Sequence, residues 1–238
     1  SHIQRTGEDK VNAFNNAFQS PNTIDKQVAG LAYTYRTADR DLEATAFGKS
    51  YRFGGRIVTE DVENTEIVTE PSLLSAGYGG AVSYTPIPSI TLKTSFEKAY
   101  RIPESFEILG DGIYVNPNPA LQPEQSHNFN TGMRYQHRFA RYHIKAETNY
   151  FYRYSQNFIR FNPLGPFGEF ENLDNVKSEG IEASVQIKYR ELLSLSTNVT
   201  YQSITDRTAF DEGLPNSNYK SRVPNIPYLF GNLRVGVS

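Results

Sequence analysis

Apolar and polar residues alternate with a period of two along most of this chain, and that period restricts the folds it can adopt. In one clear segment Leu74, Tyr78 and Val82 fall on one face of an extended strand, and Ser75 and Gly79 fall on the other. The same alternation recurs in about nine segments of roughly 9 to 13 residues, and no segment sustains a helical period. The sequence therefore predicts an all-β fold.

The connections between these segments follow a second regularity. Turns of about 3 to 5 residues alternate with loops of about 15 to 25 residues, which we place at 54–72, 100–125, 162–176 and 206–225. Residues 1–24 show no clear period and are predicted to be loop. Strands joined in chain order by short and long connections in turn are typical of an antiparallel, up-and-down arrangement.

Two environments explain an alternation of this kind. In a soluble sandwich the apolar face covers a core, whereas in an outer-membrane barrel it contacts lipid and the polar face lines a wet interior. The segment lengths, the alternation of short and long connections, and Tyr at the ends of the apolar faces favour the barrel. A soluble all-β domain, with Tyr present only as a good strand former, remains the alternative. The residues that would form an aromatic girdle are Tyr35, Tyr84, Tyr135, Tyr152, Tyr189 and Tyr201.

The polar faces carry charges of both signs. A dry core would not accommodate so many ionised groups, whereas a wet or plugged interior would. These side chains are predicted to point inward, into a barrel: Lys93, Glu97, Arg134, Lys145, Glu147, Glu182, Lys188 and Arg234.

Composition and motifs exclude several other classes of protein. The net charge of −2, from 24 basic and 26 acidic residues, does not favour a nucleic-acid partner. The chain has no Cys, so it forms no disulfide or thiolate metal site, and its four His residues do not have the spacing of metal ligands. No nucleophile elbow, phosphate-binding loop or glycine-rich nucleotide motif occurs. We therefore expect no enzyme activity, no metal and no cofactor.

A dense pattern of Pro, Glu and Asn lies in the stretch from Ser95 to Tyr135. It contains an aromatic residue followed by Arg-x-Pro-Glu, at Tyr100–Glu104, and then Asn-Pro-x-Leu-x-Pro-Glu-x-Ser, at Asn118–Ser126. Further along the chain, Asn175–Glu182 (NVKSEGIE) and Arg222–Pro227 (RVPNIP) open two more strands.

In this order the motifs resemble the barrel region of TonB-dependent outer-membrane receptors. The resemblance extends from Phe96 to Leu233, and residues 1–90 share only the general residue pattern of the family and none of these motifs. It implies a 22-stranded barrel with an N-terminal plug that imports iron-siderophores, haem, cobalamin or similar scarce nutrients. The implied location is the cell outer membrane, and the implied partners are membrane lipid, a nutrient such as a metal chelate, and the TonB complex, which contacts the plug.

The sequence departs from that family pattern in its extent. We identify no plug, no TonB-contacting segment and too few strands, so we expect residues 1–238 to be part of the barrel, from its C-terminal region. A piece of this size would leave two strand edges unpaired and would not transport on its own. If the chain is not a receptor, the alternative is a soluble or surface-exposed all-β adhesin or carbohydrate-binding domain.

The resemblance and the loops yield two sets of candidate site residues. Prolines fix the backbone where strands end, and Arg and Glu tie loops to a wall, so we predict structural roles for the family motif residues Arg101, Pro103, Glu104, Asn118, Pro119, Leu121, Pro123 and Glu124. Aromatic rings in outer loops could stack on the flat or apolar surfaces of siderophores and corrinoids. The predicted ligand contacts are Tyr114, Phe158, Phe161, Phe167, Phe170 and Tyr219.

Overall fold

The computed structural model describes residues 2–5, 22–60, 66–190, 192–211, 214–224 and 226–237. Strands account for most of the described residues, and the others include one short helix. The elements in chain order are β1 His2–Arg5, β2 Asn22–Arg36, β3 Leu42–Glu60, β4 Glu66–Thr69, β5 Ser72–Ile87, β6 Ile90–Arg101, α1 Ser105–Leu109, β7 Val115–Asn116, β8 Glu124–Arg138, β9 Tyr142–Leu164, β10 Phe167–Tyr189, β11 Leu193–Asp206, β12 Phe210–Asp211, β13 Leu214–Pro215 and β14 Leu229–Val237.

Nine long strands form one antiparallel sheet in which each strand pairs with the next. The order is β2-β3-β5-β6-β8-β9-β10-β11-β14, and β1 lies beside β2. The short strand β4 pairs with β3, β7 pairs in parallel with β10, and β12 and β13 form a separate small hairpin. The predicted all-β, up-and-down arrangement is confirmed.

Several strands are longer than the alternation predicted. β9 and β10 have 23 residues each and turn at Gly165 and Pro166, so the prediction of a loop at 162–176 is wrong. β3 has 19 residues and continues to Glu60, where it pairs with β4, so the first part of the predicted 54–72 loop is also strand. Cross-strand pairing extends beyond the apolar alternation because these tips also pack against neighbouring loops.

The prediction of a loop over residues 1–24 is wrong at both of its described ends. His2–Arg5 pairs with Asn22–Asp25, so both ends of the predicted loop lie in strands. Residues 1 and 6–21, which hold the Asn-rich part of that prediction, lie outside the described residues.

The sheet has two chemically different faces. We define the inner face as the one against which α1 packs, and the outer face as its opposite. Apolar side chains on the outer face are well exposed, including Leu31 at 83%, Leu74 at 79% and Leu233 at 68%. Charged residues predicted to point inward share the inner face with small polar residues, because the strand register pairs Arg134 with Glu147 and Glu147 with Ser184. The predicted assignment of faces is confirmed.

The short and the long connections lie at opposite ends of the sheet. The β2–β3, β5–β6, β8–β9 and β10–β11 connections are short, and we call their side the turn end. The loops and the long hairpins lie at the opposite side, the loop end. Tyr35, Tyr84, Tyr135 and Tyr189 lie on the outer face near the turn end, and Tyr152 and Tyr201 lie on the same face nearer the loop end. This is the arrangement of the predicted girdle.

Buried apolar residues gather at the loop end of the inner face. Phe53 and Ile57 from β3 and Ile159 from β9 enclose Ile108 of α1 and Leu121 of the following loop. The loop between β6 and β8 therefore folds back over the inner face and does not extend into solvent. No helix in the described part of the chain is long and apolar enough to cross a membrane.

Candidate functional site

The loop between β6 and β8 forms one wall of the candidate site, and a charged network fixes its start. The Arg101 guanidinium, at the end of β6, pairs with the Glu107 carboxylate in α1. The second Glu107 oxygen accepts the Glu104 backbone N–H at 2.7 Å, which caps the first turn of the helix. Glu104 in turn accepts a hydrogen bond from Lys26 Nζ of β2 at 3.2 Å. The motif residues Arg101 and Glu104 therefore join two strands to α1.

Backbone and amide contacts fix the second half of the same loop to the β9–β10 hairpin. Asn118 Nδ2 donates to the Phe170 carbonyl at 2.8 Å, and the Asn118 N–H donates to the Ile108 carbonyl at 2.8 Å. Asn172 forms a reciprocal pair with Gln122, with Gln122 N to Asn172 Oδ1 at 2.7 Å and Asn172 Nδ2 to Gln122 O at 2.9 Å. Pro119 lies between these two attachment points and is partly buried.

The remaining motif residues are buried or nearly so. Pro103 and Leu121 are fully buried, and Leu121 belongs to the apolar cluster at the loop end. Glu124 is 4% exposed, and its Oε1 accepts a hydrogen bond from Ser155 Oγ of β9 at 2.8 Å. Pro123, immediately before it, is partly buried. All eight motif residues thus lie in the framework of the loop.

The tip of the loop is a tight turn around Asp111. Its Oδ1 accepts the backbone N–H groups of Ile113 at 2.8 Å, Tyr114 at 2.7 Å and Val115 at 2.8 Å. These hydrogen bonds, with that of Val115 the strongest, hold the pKa of the Asp111 carboxyl below its usual range. The turn exposes the Tyr114 ring, which is 62% accessible, while the Tyr114 carbonyl accepts the Gly168 N–H at 3.0 Å.

Two of the predicted ligand contacts, Phe161 and Phe170, come together on the inner face. They form a cross-strand pair with ring centroids 5.3 Å apart, and Phe106 of α1 lies 5.8 Å from Phe170, edge to face. Gly168 provides the space for the Phe161 ring, since a Cβ at that position would lie 2.2 Å from its Cζ. We call Phe106, Phe161 and Phe170 the aromatic cluster. Phe106 is 45% exposed and Phe161 is 46% exposed, so the cluster offers ring surface to a ligand.

The other predicted aromatic contacts lie elsewhere. Phe158 pairs with Leu173 and Phe167 pairs with Leu164, on the face opposite the aromatic cluster. These two residues, like Phe161 and Phe170, lie in strands and not in outer loops as predicted, because the hairpin remains paired to its tip. Tyr219 lies in the turn after β13, where Lys220 Nζ sits 5.0 Å from its ring centroid. The structure therefore divides the six predicted contacts among four places: the aromatic cluster, the opposite face of the hairpin, the Asp111 turn and the turn after β13.

Sequence reasoning did not identify Phe106 as a candidate ligand contact. It lies two residues after the Arg-x-Pro-Glu motif, and its position beside Phe170 depends on the Asn118 hydrogen bond, which joins segments 52 positions apart. The local signal that could have indicated it is its place one residue before Glu107, on a helix whose neighbouring positions are buried.

Ion pairs lie on the inner face below this site, within β9, between β8 and β9, and across β5 from β3 to β6. Lys49 Nζ lies 2.7 Å from Glu97 Oε1, and Glu147 Oε1 lies 2.5 Å from Arg134 Nε and 3.2 Å from Lys145 Nζ. Such a wall is wet and polar, and it differs sharply from the apolar outer face. No cluster of potential metal ligands occurs among the described residues.

Comparison with known families and structures identifies the class of protein that this fold defines. Residues 28–238 match the family described as TonB dependent receptor-like, beta-barrel. The chain therefore belongs to the TonB-dependent receptor β-barrel family. Members of this family are outer-membrane receptors and transporters, not enzymes. The comparison with curated protein sequences found no match.

Solved structures share this fold at low sequence identity. The copper transporter OprC superposes with a TM-score of 0.70 at 13% identity, over 91% of this chain and 34% of its own. The ferric yersiniabactin uptake receptor FyuA from Yersinia pestis gives 0.61 at 14%, over 91% and 32%. The Serratia marcescens receptor HasR, in complex with its hemophore HasA and heme, gives 0.60 at 17%, over 91% and 41%. The chain thus spans between 32% and 41% of the length of these three proteins.

Proposed function

We propose that this chain is part of an outer-membrane receptor that binds a scarce nutrient at its loop end and imports it with energy from TonB. The nutrient class is a metal chelate or a corrinoid: an iron-siderophore, haem, cobalamin or a similar compound. The names of the structural neighbours, which concern copper, heme and ferric yersiniabactin, support this class without selecting a member. The plug and the TonB contact would be supplied by parts of the protein other than this chain.

The observation that carries the proposal is the aromatic cluster beside the Asp111 turn. Phe106, Phe161 and Phe170 present partly exposed rings on the inner face, in a framework fixed by the buried motif residues. Rigid aromatic surface of this kind binds flat or apolar ligands at a low cost in conformational entropy. Tyr114, 62% exposed and attached to β10 through its carbonyl, adds a fourth ring near the same hairpin.

No contact among the described residues favours the alternative function, that of an adhesin or a carbohydrate-binding domain. A protein in water rarely exposes an apolar surface as extensive as the outer face, where Leu31, Leu74 and Leu233 are each more than two-thirds accessible. Lipid contact accounts for that surface and for the Tyr residues at its margins.

Paired substitutions test the ligand site in the full-length protein that carries this chain. We expect F161A/F170A to weaken binding of the transported chelate at least tenfold, measured by equilibrium binding to purified protein across ferric siderophores, haem and cobalamin. F158A/F167A removes two rings of the same hairpin from the opposite face and is expected to leave affinity unchanged. Equal losses in both variants would show that the outer-face rings also contact the ligand, and no loss in either would exclude the hairpin.

A growth assay tests the transport step separately. Cells that depend on the protein for one chelate should lose growth on that chelate when the TonB complex is inactivated, while the purified protein still binds it. Continued growth without TonB would contradict the proposed energy source and leave the binding result intact.

A further inference from the structure

A cavity lies at the turn end, far from the aromatic cluster. It has a volume of about 620 Å³ and lies between the β8–β9 and β10–β11 turns. Five of its lining side chains are cationic or can become so, and we call them the basic turn cluster: Arg138, Arg141, His143, Lys188 and Arg190.

Strand register explains how these residues meet. Arg138 pairs with His143 across β8 and β9, and His143 pairs with Lys188 across β9 and β10, so the three form one row on the inner face. Ser194 of β11 continues the row opposite Lys188. The adjacent turns add Arg141 and Arg190, which are joined by a hydrogen bond from Arg190 N to Arg141 O at 2.8 Å.

The charge of the cluster is not compensated within the described residues. None of its five members forms an ion pair there, and the nearby Glu147 is already engaged by Arg134 and Lys145. Glu191, which belongs to the β10–β11 turn in the sequence, lies outside the described residues. Several cations gathered around one open cavity repel each other unless an anion joins them.

The chemistry of the donors favours a phosphate group. Arg guanidinium groups bind phosphate with paired, charge-assisted hydrogen bonds, and Lys adds a compact positive charge. A volume of about 620 Å³ lies within the range of small-ligand sites.

The cavity lies at the same height in the sheet as outward-facing aromatic residues, and this position favours a membrane lipid as the source of the phosphate. Tyr142 and Tyr189 lie side by side on the outer face with tilted rings and centroids 4.9 Å apart, and the Arg190 guanidinium lies 5.7 Å from the Tyr189 ring. Aromatic residues of this kind mark the level of lipid headgroups. Tyr142 and Leu193, which pair with Tyr189 on the outer face, also line the cavity, so it opens at the edge of the sheet towards the surface that would contact those headgroups.

We propose that the cavity at the turn end binds the phosphate of an anionic phospholipid headgroup through the basic turn cluster. The inference rests on the proposed membrane location of the strand wall. A soluble short-chain lipid can enter the cavity whether or not the wall crosses a membrane, so the two proposals fail separately.

Calorimetric titration of the full-length protein in detergent tests the site with three probes. The probes are dihexanoylphosphatidylglycerol, dihexanoylphosphatidylcholine and inorganic phosphate. We expect saturable binding of the phosphatidylglycerol only. Equal binding of the zwitterionic lipid would overturn the role of net charge, equal binding of inorganic phosphate would overturn the lipid source, and no binding would overturn the site.

Two charge-matched double variants locate the binding. R141Q/R190Q should weaken phosphatidylglycerol binding about 25-fold, at roughly fivefold for each basic residue removed near an anionic group. K220Q/R222Q removes the same charge at the loop end, where both cations also lie over Tyr rings, and should bind as the unmodified protein does. Equal weakening in both variants would show a general effect of net charge and overturn the assignment to this cavity.

Discussion

One carboxylate, that of Glu107, holds the start of the β6–β8 loop in place. It is only 9% exposed, pairs with Arg101, and accepts the Glu104 N–H at 2.7 Å. Removing it would leave a partly buried N–H and a guanidinium without their acceptor, so we expect Glu107→Ala to destabilise α1 by about 1 to 3 kcal/mol. Hydrogen exchange of the 104–110 amides, followed by mass spectrometry, would show this as faster exchange confined to the loop.

Glu104→Ala is the matched control for that measurement. Glu104 is three positions away, but its side chain is 72% exposed, so water solvates its carboxylate in the ion pair with Lys26. Exposed pairs of this type contribute about 0.2 to 1 kcal/mol, so exchange in the helix should change little. Comparable acceleration in both variants would contradict the view that burial of Glu107 is what fixes the helix.

At the scale of one loop, protonation of Asp111 should loosen the turn that presents Tyr114. Its pKa is lowered in the folded state by the Val115, Ile113 and Tyr114 N–H groups, so the ordering that it provides is complete above the ordinary carboxyl pKa of about 3.9. It is lost as the pH falls through the lower, folded value. Backbone amide shifts of residues 113–115 should therefore titrate with a midpoint below about 4.

Asp111→Asn separates charge from shape in that titration. The amide oxygen can still accept backbone hydrogen bonds, but it has no charge to lose, so the pH dependence at 113–115 should disappear. A midpoint at or above the ordinary value in the unmodified protein would contradict the geometry of the turn.

The central hairpin depends on a glycine under an aromatic ring. A Cβ at Gly180 would lie 2.3 Å from the Tyr201 carbonyl oxygen and 2.6 Å from the Phe151 ring, so either the strand or the ring must move. We expect Gly180→Ala to lower the free energy of unfolding by about 1 to 3 kcal/mol in urea titrations of the full-length protein in micelles. Gly48→Ala, with nothing within 4 Å of the new methyl group, should be neutral or slightly stabilising. The same loss in both would exclude crowding as the cause.

Strand positions followed from sequence because the signal for them is local. Alternation of side chains along one segment already assigns each residue to a face, and the pairing of Val82 with Thr94 and of Thr94 with Thr131 agrees with the predicted faces. The contact between Phe106 and the two rings of the hairpin had no local signal. Phe106 meets Phe170 only because hydrogen bonds and apolar packing draw the loop onto a hairpin far along the chain.

The β9–β10 hairpin is longer than the sequence predicted, for a related reason. The half of the hairpin nearest its turn contains Pro163, Pro166 and several Asn residues, which are typical of loops. Pairing persists there because Arg160 and Glu171 form a cross-strand ion pair and Asn172 binds the loop beside it. Such contacts depend on the register of distant segments, and a period of two along one strand does not report them.

For the molecule as a whole, an Arg substitution is expected to cost much more stability on one face of the sheet than on the other. Val185 lies on the outer face of β10, and its neighbour Ser184 lies on the inner face opposite Glu147. If the outer face contacts lipid, Val185→Arg should cost about 2 to 4 kcal/mol in bilayers, whereas Ser184→Arg places its charge on the polar inner face and should cost under about 1 kcal/mol. Unfolding of the full-length protein in phospholipid vesicles measures both changes. In a soluble domain Val185→Arg would fall within about 0.5 kcal/mol of neutral, so that result would exclude a lipid-facing wall.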